Sequence, residues 1–223
     1  MNNITFILDS GHGGVVGSKY TTSPFFDKND PSTWVKSFYH KSEDITFFEG
    51  VFNRDVITIV KNIMDVRGME YLDATTGDKT VSQYDISLPK RVGIANEHYK
   101  TNKNCMYFSM HGNAFNGKAH GIEIFTSIGQ TESDSMATSI FNSIVDFFPN
   151  EKYRKDTWSD GDVDKEVNYY VLRKTLMPSV LLEFLFFDNL IDCKKMLDVK
   201  VQHRLAKAIV NGFEEIQKNA NKT

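Results

Sequence analysis

Four polar residues stand where the chain otherwise calls for apolar or turn residues: His12, Glu49, His111 and Glu183. Two imidazoles and one carboxylate (His12, His111 and Glu49) form the three-ligand set of a catalytic zinc ion, which keeps a fourth position open for water. Glu183 lies inside SVLLEFLFF (179–187), a run so apolar on both faces that it reads as a central buried strand. An ionised carboxylate there is costly unless it has a cation, a metal or a proton. Either a structural partner such as Arg91 or Arg173 neutralises it, or it serves as the general acid/base of a metal hydrolase, moving a proton from water to a leaving amine. Plainer readings exist for the other three. His12 fits a turn residue that tolerates unusual backbone geometry. Thr46-x-x-Glu49 matches a capping box, and His111 could be a hydrogen-bonded core histidine. The spacings are too wide for a local zinc motif. His40, His98, His120 and His203 lack such company and read as structural or surface residues.

The elements that must position these groups follow from periodicity. Residues 4–8 read as a buried strand stopping at the glycine-rich DSGHGG, and 105–110 as a compact apolar strand ending at HGNA. Each histidine therefore follows a strand, where the ligand crevice of an open α/β sheet lies. From Thr46 to Gly68 the period is helical, with Glu49, Asn53, Val56, Val60 and Ile63 on one face, so the Glu49 carboxylate is carried inward. Further helices are expected over 87–99, with Leu88, Val92 and Ala95 inward, over 133–148, and over 199–218, where Leu205, Ala208, Ile209, Gly212 and Phe213 share a side. Short strands are expected at 69–73 and 121–126, and Asp188 is positioned to cap the helix after the apolar run. Strands alternating with helices imply an α/β fold with a mixed, largely parallel central sheet flanked by helices. Residues 15–42 hold no period. Their scattered Phe25, Phe26, Trp34, Phe38 and Tyr39 suggest an insertion that either walls the groove or packs as a satellite cluster. Residues 150–165, with Trp158 and Gly161, form a second candidate rim loop.

Composition excludes more than it selects. In 223 residues, 26 Lys and Arg face 29 Asp and Glu, a net charge of −3, so no basic excess exists to neutralise a nucleic-acid backbone. Nucleic acid is thus excluded as a first guess, and no run of ~18 apolar residues is present to span a membrane. Cys105 and Cys193 lie in apolar patterns and read as buried free thiols rather than a disulfide or a thiolate metal site. No repeat or linker divides residues 1–223, which read as one domain. The opening MNNITFILDS lacks the pattern of an export signal, so the expectation is synthesis and retention in the cytoplasm until release.

Together, ILDSGHGG, Glu49 with Asn53, SLPKRVGIAN, FSMHGNA, GIEIF and YYVLRKTLMPSVLLEFLFFDN resemble, in order, the motifs of zinc-dependent N-acetylmuramoyl-L-alanine amidases of the amidase-3 type. The resemblance runs from Ile4 to about Phe213. It implies a helix-flanked mixed sheet, a three-layer sandwich, with Zn2+ held by His12, Glu49 and His111 and with Glu183 as catalytic acid/base. It also implies peptidoglycan as the partner and cleavage between the lactyl group of N-acetylmuramic acid and L-alanine. Family members often have proline where this chain has Ser10, and Gly-Phe where it has Leu185-Phe186. With no export signal, the chain looks like a phage or prophage endolysin that reaches the wall through a separate holin. A bacterial autolysin is the competing account. A zinc carboxypeptidase on the same scaffold and a non-catalytic wall-binding protein are the other function classes.

Overall fold

The structure is a computed structural model and describes residues 3–156 and 161–222. In chain order it contains β1 (Thr5–Ser10), β2 (Val15–Val16), β3 (Lys19–Tyr20), β4 (Ser37–His40), β5 (Ile45–Phe48), α1 (Glu49–Arg67), β6 (Tyr71–Asp73), α2 (Leu88–Thr101) and β7 (Cys105–Asn113). There follow β8 (Ile122–Thr126), α3 (Glu132–Phe147), β9 (Lys165–Glu166), α4 (Tyr170–Lys174), β10 (Ser179–Phe186), α5 (Leu190–Leu197) and α6 (Val199–Ala220). A six-stranded sheet runs β6-β1-β7-β10-β8-β9. Its first four strands are mutually parallel, and β8 runs antiparallel to β10. The expected mixed, largely parallel sheet is therefore present, with the apolar β10 in its interior.

Alternation along the strands splits the core into two layers. Phe6 and Leu8 of β1, Met106 and Phe108 of β7, and Val180 and Leu182 of β10 pack with α1, α3, α5 and α6. Ile7, Tyr107 and Leu181 face the other way, onto α2 and α4. The result is a three-layer α/β/α sandwich. Asp9, His111 and Glu183 stand toward the carboxyl ends of β1, β7 and β10, on the face that carries Ile7 and Leu181. Among the described residues no helix is long and apolar enough to cross a membrane. Both cysteines are buried and unpaired, as expected.

Several local readings are corrected. The Thr46-x-x-Glu49 pattern makes no capping box: Thr46 lies in β5, and the residue before α1, Phe48, offers no side-chain cap. The helix after β10 is capped by Asn189, whose Oδ1 accepts from the backbone N–H groups of Ile191 and Asp192. Asp188 instead accepts from the N–H groups of Phe115 and Gly117 and fastens the loop after β7. On α2, Leu88 is turned outward and the fully buried Arg91 takes its place beside Val92 and Ala95. The aperiodic 15–42 segment folds into a small hairpin (β2-β3) and the first strand of another (β4-β5). Trp34 packs edge-on against Phe38 and Tyr39, and its indole N–H donates to the carbonyl of Asp27. Trp158, placed by sequence in the second rim loop, lies outside the described residues.

Candidate metal and catalytic site

His12 follows β1 by two residues and takes a left-handed backbone, φ 62°. Its turn geometry and its place in the site are thus two aspects of one feature. The backbone is held by two guanidinium groups: Arg54 Nη2 and Arg91 Nη2 both donate to the His12 carbonyl. Gly11 is required by contact, because a Cβ there would sit 2.1 Å from the His111 ring. Gly50 is required likewise: its Cβ would meet the Gly13 carbonyl at 1.9 Å, so α1 starts directly against the loop carrying His12. Asn53, one turn along α1, donates to the Gly11 carbonyl. The helix that carries Glu49 and the loop that carries His12 are therefore locked together.

His111 Nδ1 stands 2.8 Å from Glu49 Oε1, and His12 Nε2 stands 3.3 Å from the same oxygen. One ligand atom from each of the three residues lies within 4.8 Å of the other two, close enough for one metal ion. Glu49 is buried, and among the described residues neither its Oε2 nor the buried His12 Nε2 has a well-aligned hydrogen-bond partner. Unsatisfied buried groups of this kind are rare in native proteins. Here they converge, and two imidazoles with a carboxylate are the donor set that suits zinc. Burial alone would raise the Glu49 carboxyl, but the adjacent imidazoles overcome it and hold it far below the ordinary carboxylate range. Burial lowers His12 despite the Glu49 charge, whereas Glu49 raises His111 against burial.

Glu183 lies directly beside His111 in the β7/β10 register, and Glu123 lies beside Glu183 in the β8/β10 register. The three side chains form one row on one sheet face. Glu183 Oε2 is buried without a hydrogen-bond partner among the described residues, and its carboxyl is raised to about 8, chiefly by burial and further by the Glu49 and Glu123 charges, against His111 and Lys36. Neither arginine considered as its neutraliser is an ion-pair partner among the described residues. Arg91 is taken up by Asp9 and Asp85, with further hydrogen bonds to Ser10, His12 and Ile86. Just past Glu183 the β10 register slips, and Leu185 adopts φ 60°. A bulge with left-handed leucine is strained by about 1–3 kcal/mol and re-aims the neighbouring side chains. It is held by Asp192 Oδ2, which accepts from the N–H groups of Phe186 and Gly121.

Residues 7–215 match the model of the Amidase_3 family, described as N-acetylmuramoyl-L-alanine amidase. The chain belongs to this family. It is 30% identical over 214 residues to an uncharacterized cell wall amidase of Bacillus anthracis, covering 94% of this chain and 34% of that protein. The chain thus spans about a third of that relative's length. Among solved structures it is similar to an N-acetylmuramoyl-L-alanine amidase from Clostridium difficile 630, with a TM-score of 0.72, 23% identity and 98% of each chain covered. It also resembles the catalytic domain of the amidase CwlV from Bacillus (Paenibacillus) polymyxa, with a TM-score of 0.70, 19% identity, and coverage of 96% of this chain and 98% of that one. Both likenesses concern the fold.

Of the groups singled out from sequence, the structure brings His12, Glu49, His111 and Glu183 to one place. His40 is a buried structural residue, its Nε2 2.8 Å from the Phe187 carbonyl. Sequence reading missed Asp9 as the partner of Arg91, Asn53 and Arg54 as clamps on the His12 loop, and Lys36 beside Glu49. Asp9 in the DSGHGG loop and Arg91 in SLPKRVGIAN were visible as polar residues next to apolar stripes. Nothing marked them as a pair.

Proposed function

We propose that this protein is a zinc-dependent peptidoglycan amidase that cleaves the amide joining the lactyl group of N-acetylmuramic acid to L-alanine. The observation that carries this reading is the convergence of the His12, Glu49 and His111 ligand atoms beside an unpaired, protonation-prone Glu183. His12, Glu49 and His111 would hold the ion. Bound there, zinc supplies a Lewis acid for the amide carbonyl and makes water nucleophilic near neutral pH. Glu49 enters the site already ionised, so its carboxylate is ready to serve as a ligand. With a cation bound beside it to draw its carboxyl down and leave it ionised, Glu183 would take the proton of the attacking water and deliver it to the alanine nitrogen as the C–N bond breaks. Among the described residues its Oε2 has no hydrogen-bond partner to lose when the carboxyl changes protonation state. Family membership and the cell-wall amidase relative support peptidoglycan as substrate.

Purified peptidoglycan digested with the protein, before and after chelation and after zinc is restored, tests this directly. Mass spectrometry should find free lactyl carboxyls and stems with a free L-alanine amino group, absent after chelation and recovered with zinc. Release of single amino acids from the stem's far end would instead identify a carboxypeptidase, and unchanged digestion after chelation would overturn the metal's role.

A further inference from the structure

Two cavities of similar size but different character meet at the His12–Glu49–His111 cluster. One, about 500 Å³, is lined by His12, His111, Thr21, Asp85, Leu88 and Arg91. Among the described residues lining it the only guanidinium, that of Arg91, is 1% exposed and already committed to Asp9, Asp85 and backbone carbonyls. The other, about 470 Å³, contains Glu49 and Glu183 and is walled by Trp34, Phe115, Tyr169 and Lys36. Among the described residues lining it, Lys36 is the only cation.

Lys36 is held in place by its backbone while its ammonium is left available. The Lys36 carbonyl accepts from the Glu49 N–H and from the Tyr20 hydroxyl, both at 3.0 Å, so the residue is tied to the first turn of α1. It adopts φ 57°, a left-handed conformation that a lysine has no local reason to take. Such strain persists only where the surroundings enforce it, and it clusters at ligand-contacting positions. Among the described residues Nζ forms only a long ion pair, 3.8 Å to Glu49 Oε2, and the side chain is 46% exposed. Trp34, two residues earlier, is fixed by its bond to Asp27, and Phe115 is 76% exposed on the same cavity. An ammonium beside apolar rings suits a peptide that carries a free carboxylate.

We infer that Lys36 is the anion subsite for a carboxylate of the peptide stem, which places the stem in the Trp34–Tyr169 cavity and the glycan in the His12–Leu88 cavity. This rests on the amidase reading, since it is the cleaved amide that divides the substrate between the two cavities. Lys36 is a specificity residue: the stem charge it meets lies beyond the reacting atoms, so the carboxylate preference it gives is the same in the ground and transition states and falls on KM.

The test uses a soluble N-acetylmuramoyl peptide in two forms, with the free carboxyl of the residue after L-alanine left as carboxylate or converted to carboxamide. The wild-type protein should show a KM about tenfold lower for the carboxylate, the size of one charge-assisted hydrogen bond. Lys36→Met should raise KM for the carboxylate to the carboxamide value, with any change in kcat the same on both substrates, and Lys36→Arg should keep the preference. Equal KM values in the wild type, or an equal loss on both substrates in Lys36→Met, would overturn the subsite while leaving the amidase reading intact. Release of L-alanine stems from neither substrate would overturn both.

Discussion

Glu123 and Glu183 are neighbours across β8 and β10, on the same face of the same sheet, yet their surroundings are opposite. Glu123 Oε1 accepts from Arg154 Nε at 2.7 Å and Lys165 Nζ at 2.6 Å, and its Oε2 accepts from Asn113 Nδ2 at 2.6 Å. Among the described residues Glu183 Oε2 accepts from none, and burial pushes its carboxyl up to about 8. Two glutamates one strand apart thus separate structure from chemistry. The charge of Glu123 is fully answered and ties β7, β8 and β9 together. The charge of Glu183 is unanswered, a state that destabilises a fold but leaves a group free to exchange a proton. Asp9 extends the contrast: it is more deeply buried than Glu183, but the Arg91 charge and the Ser109 hydroxyl outweigh burial and hold it ionised below the ordinary range.

The largest effect should come from removing a ligand beside the unpaired glutamate. His111→Ala should lower zinc affinity by more than about a hundredfold, beyond what is lost when only the groups behind a ligand are disturbed. Metal analysis after dialysis would read this, and hydrolysis should fall to background. Next comes the paired carboxylate. Arg91→Met leaves Asp9 buried without its cation and should cost about 3–5 kcal/mol of stability, visible in denaturant unfolding. Glu123→Gln should cost less, about 1–3 kcal/mol, because Arg154 and Lys165 can turn to solvent. Its hydrolytic rate should stay near normal. The smallest effect is on pH dependence. The folded-state value of Asp9 lies below its ordinary 3.8, so Asp9 stabilises the fold above that pH, and the contribution is lost as pH falls through the lower folded value. Asp9→Asn should therefore flatten the acid side of the stability profile relative to wild type, as measured by thermal unfolding from neutral pH down to acid.

These contrasts were unequally visible in the sequence. The sandwich and the inner position of β10 follow from strands and helices with clean periods. Glu183 stands out because a lone carboxylate in SVLLEFLFF is costly unless a cation, a metal or a proton answers it. The two histidines are marked by their place after strands, and Glu49 by its helical register with Asn53, Val56 and Val60. What was illegible is what distant chain segments decide. Arg91 is equally able, by sequence, to neutralise Glu183 or Asp9; only the packing of α2 beneath the end of β1 assigns it to Asp9. Thr46-x-x-Glu49 carries a capping signal, but the β4-β5 hairpin draws Thr46 into a strand. The left-handed turn at Leu185 opposes leucine's own preference and is imposed by Asp192 from α5. Lys36 sits in an aperiodic stretch, so its position depends on the two hydrogen bonds its carbonyl receives.

The most direct test of the account is Glu183→Gln, which keeps the side chain's shape and removes its exchangeable proton. Turnover on a soluble muramoyl peptide and the thermal midpoint should be measured on the same zinc-loaded sample. The prediction is a fall in kcat of about 10²–10⁴-fold with zinc retained and the midpoint equal to or above wild type, since an unpaired buried carboxyl has been replaced by a neutral amide. Near-normal turnover with a lowered midpoint would show that Glu183, like Glu123, serves the fold, and would contradict the account.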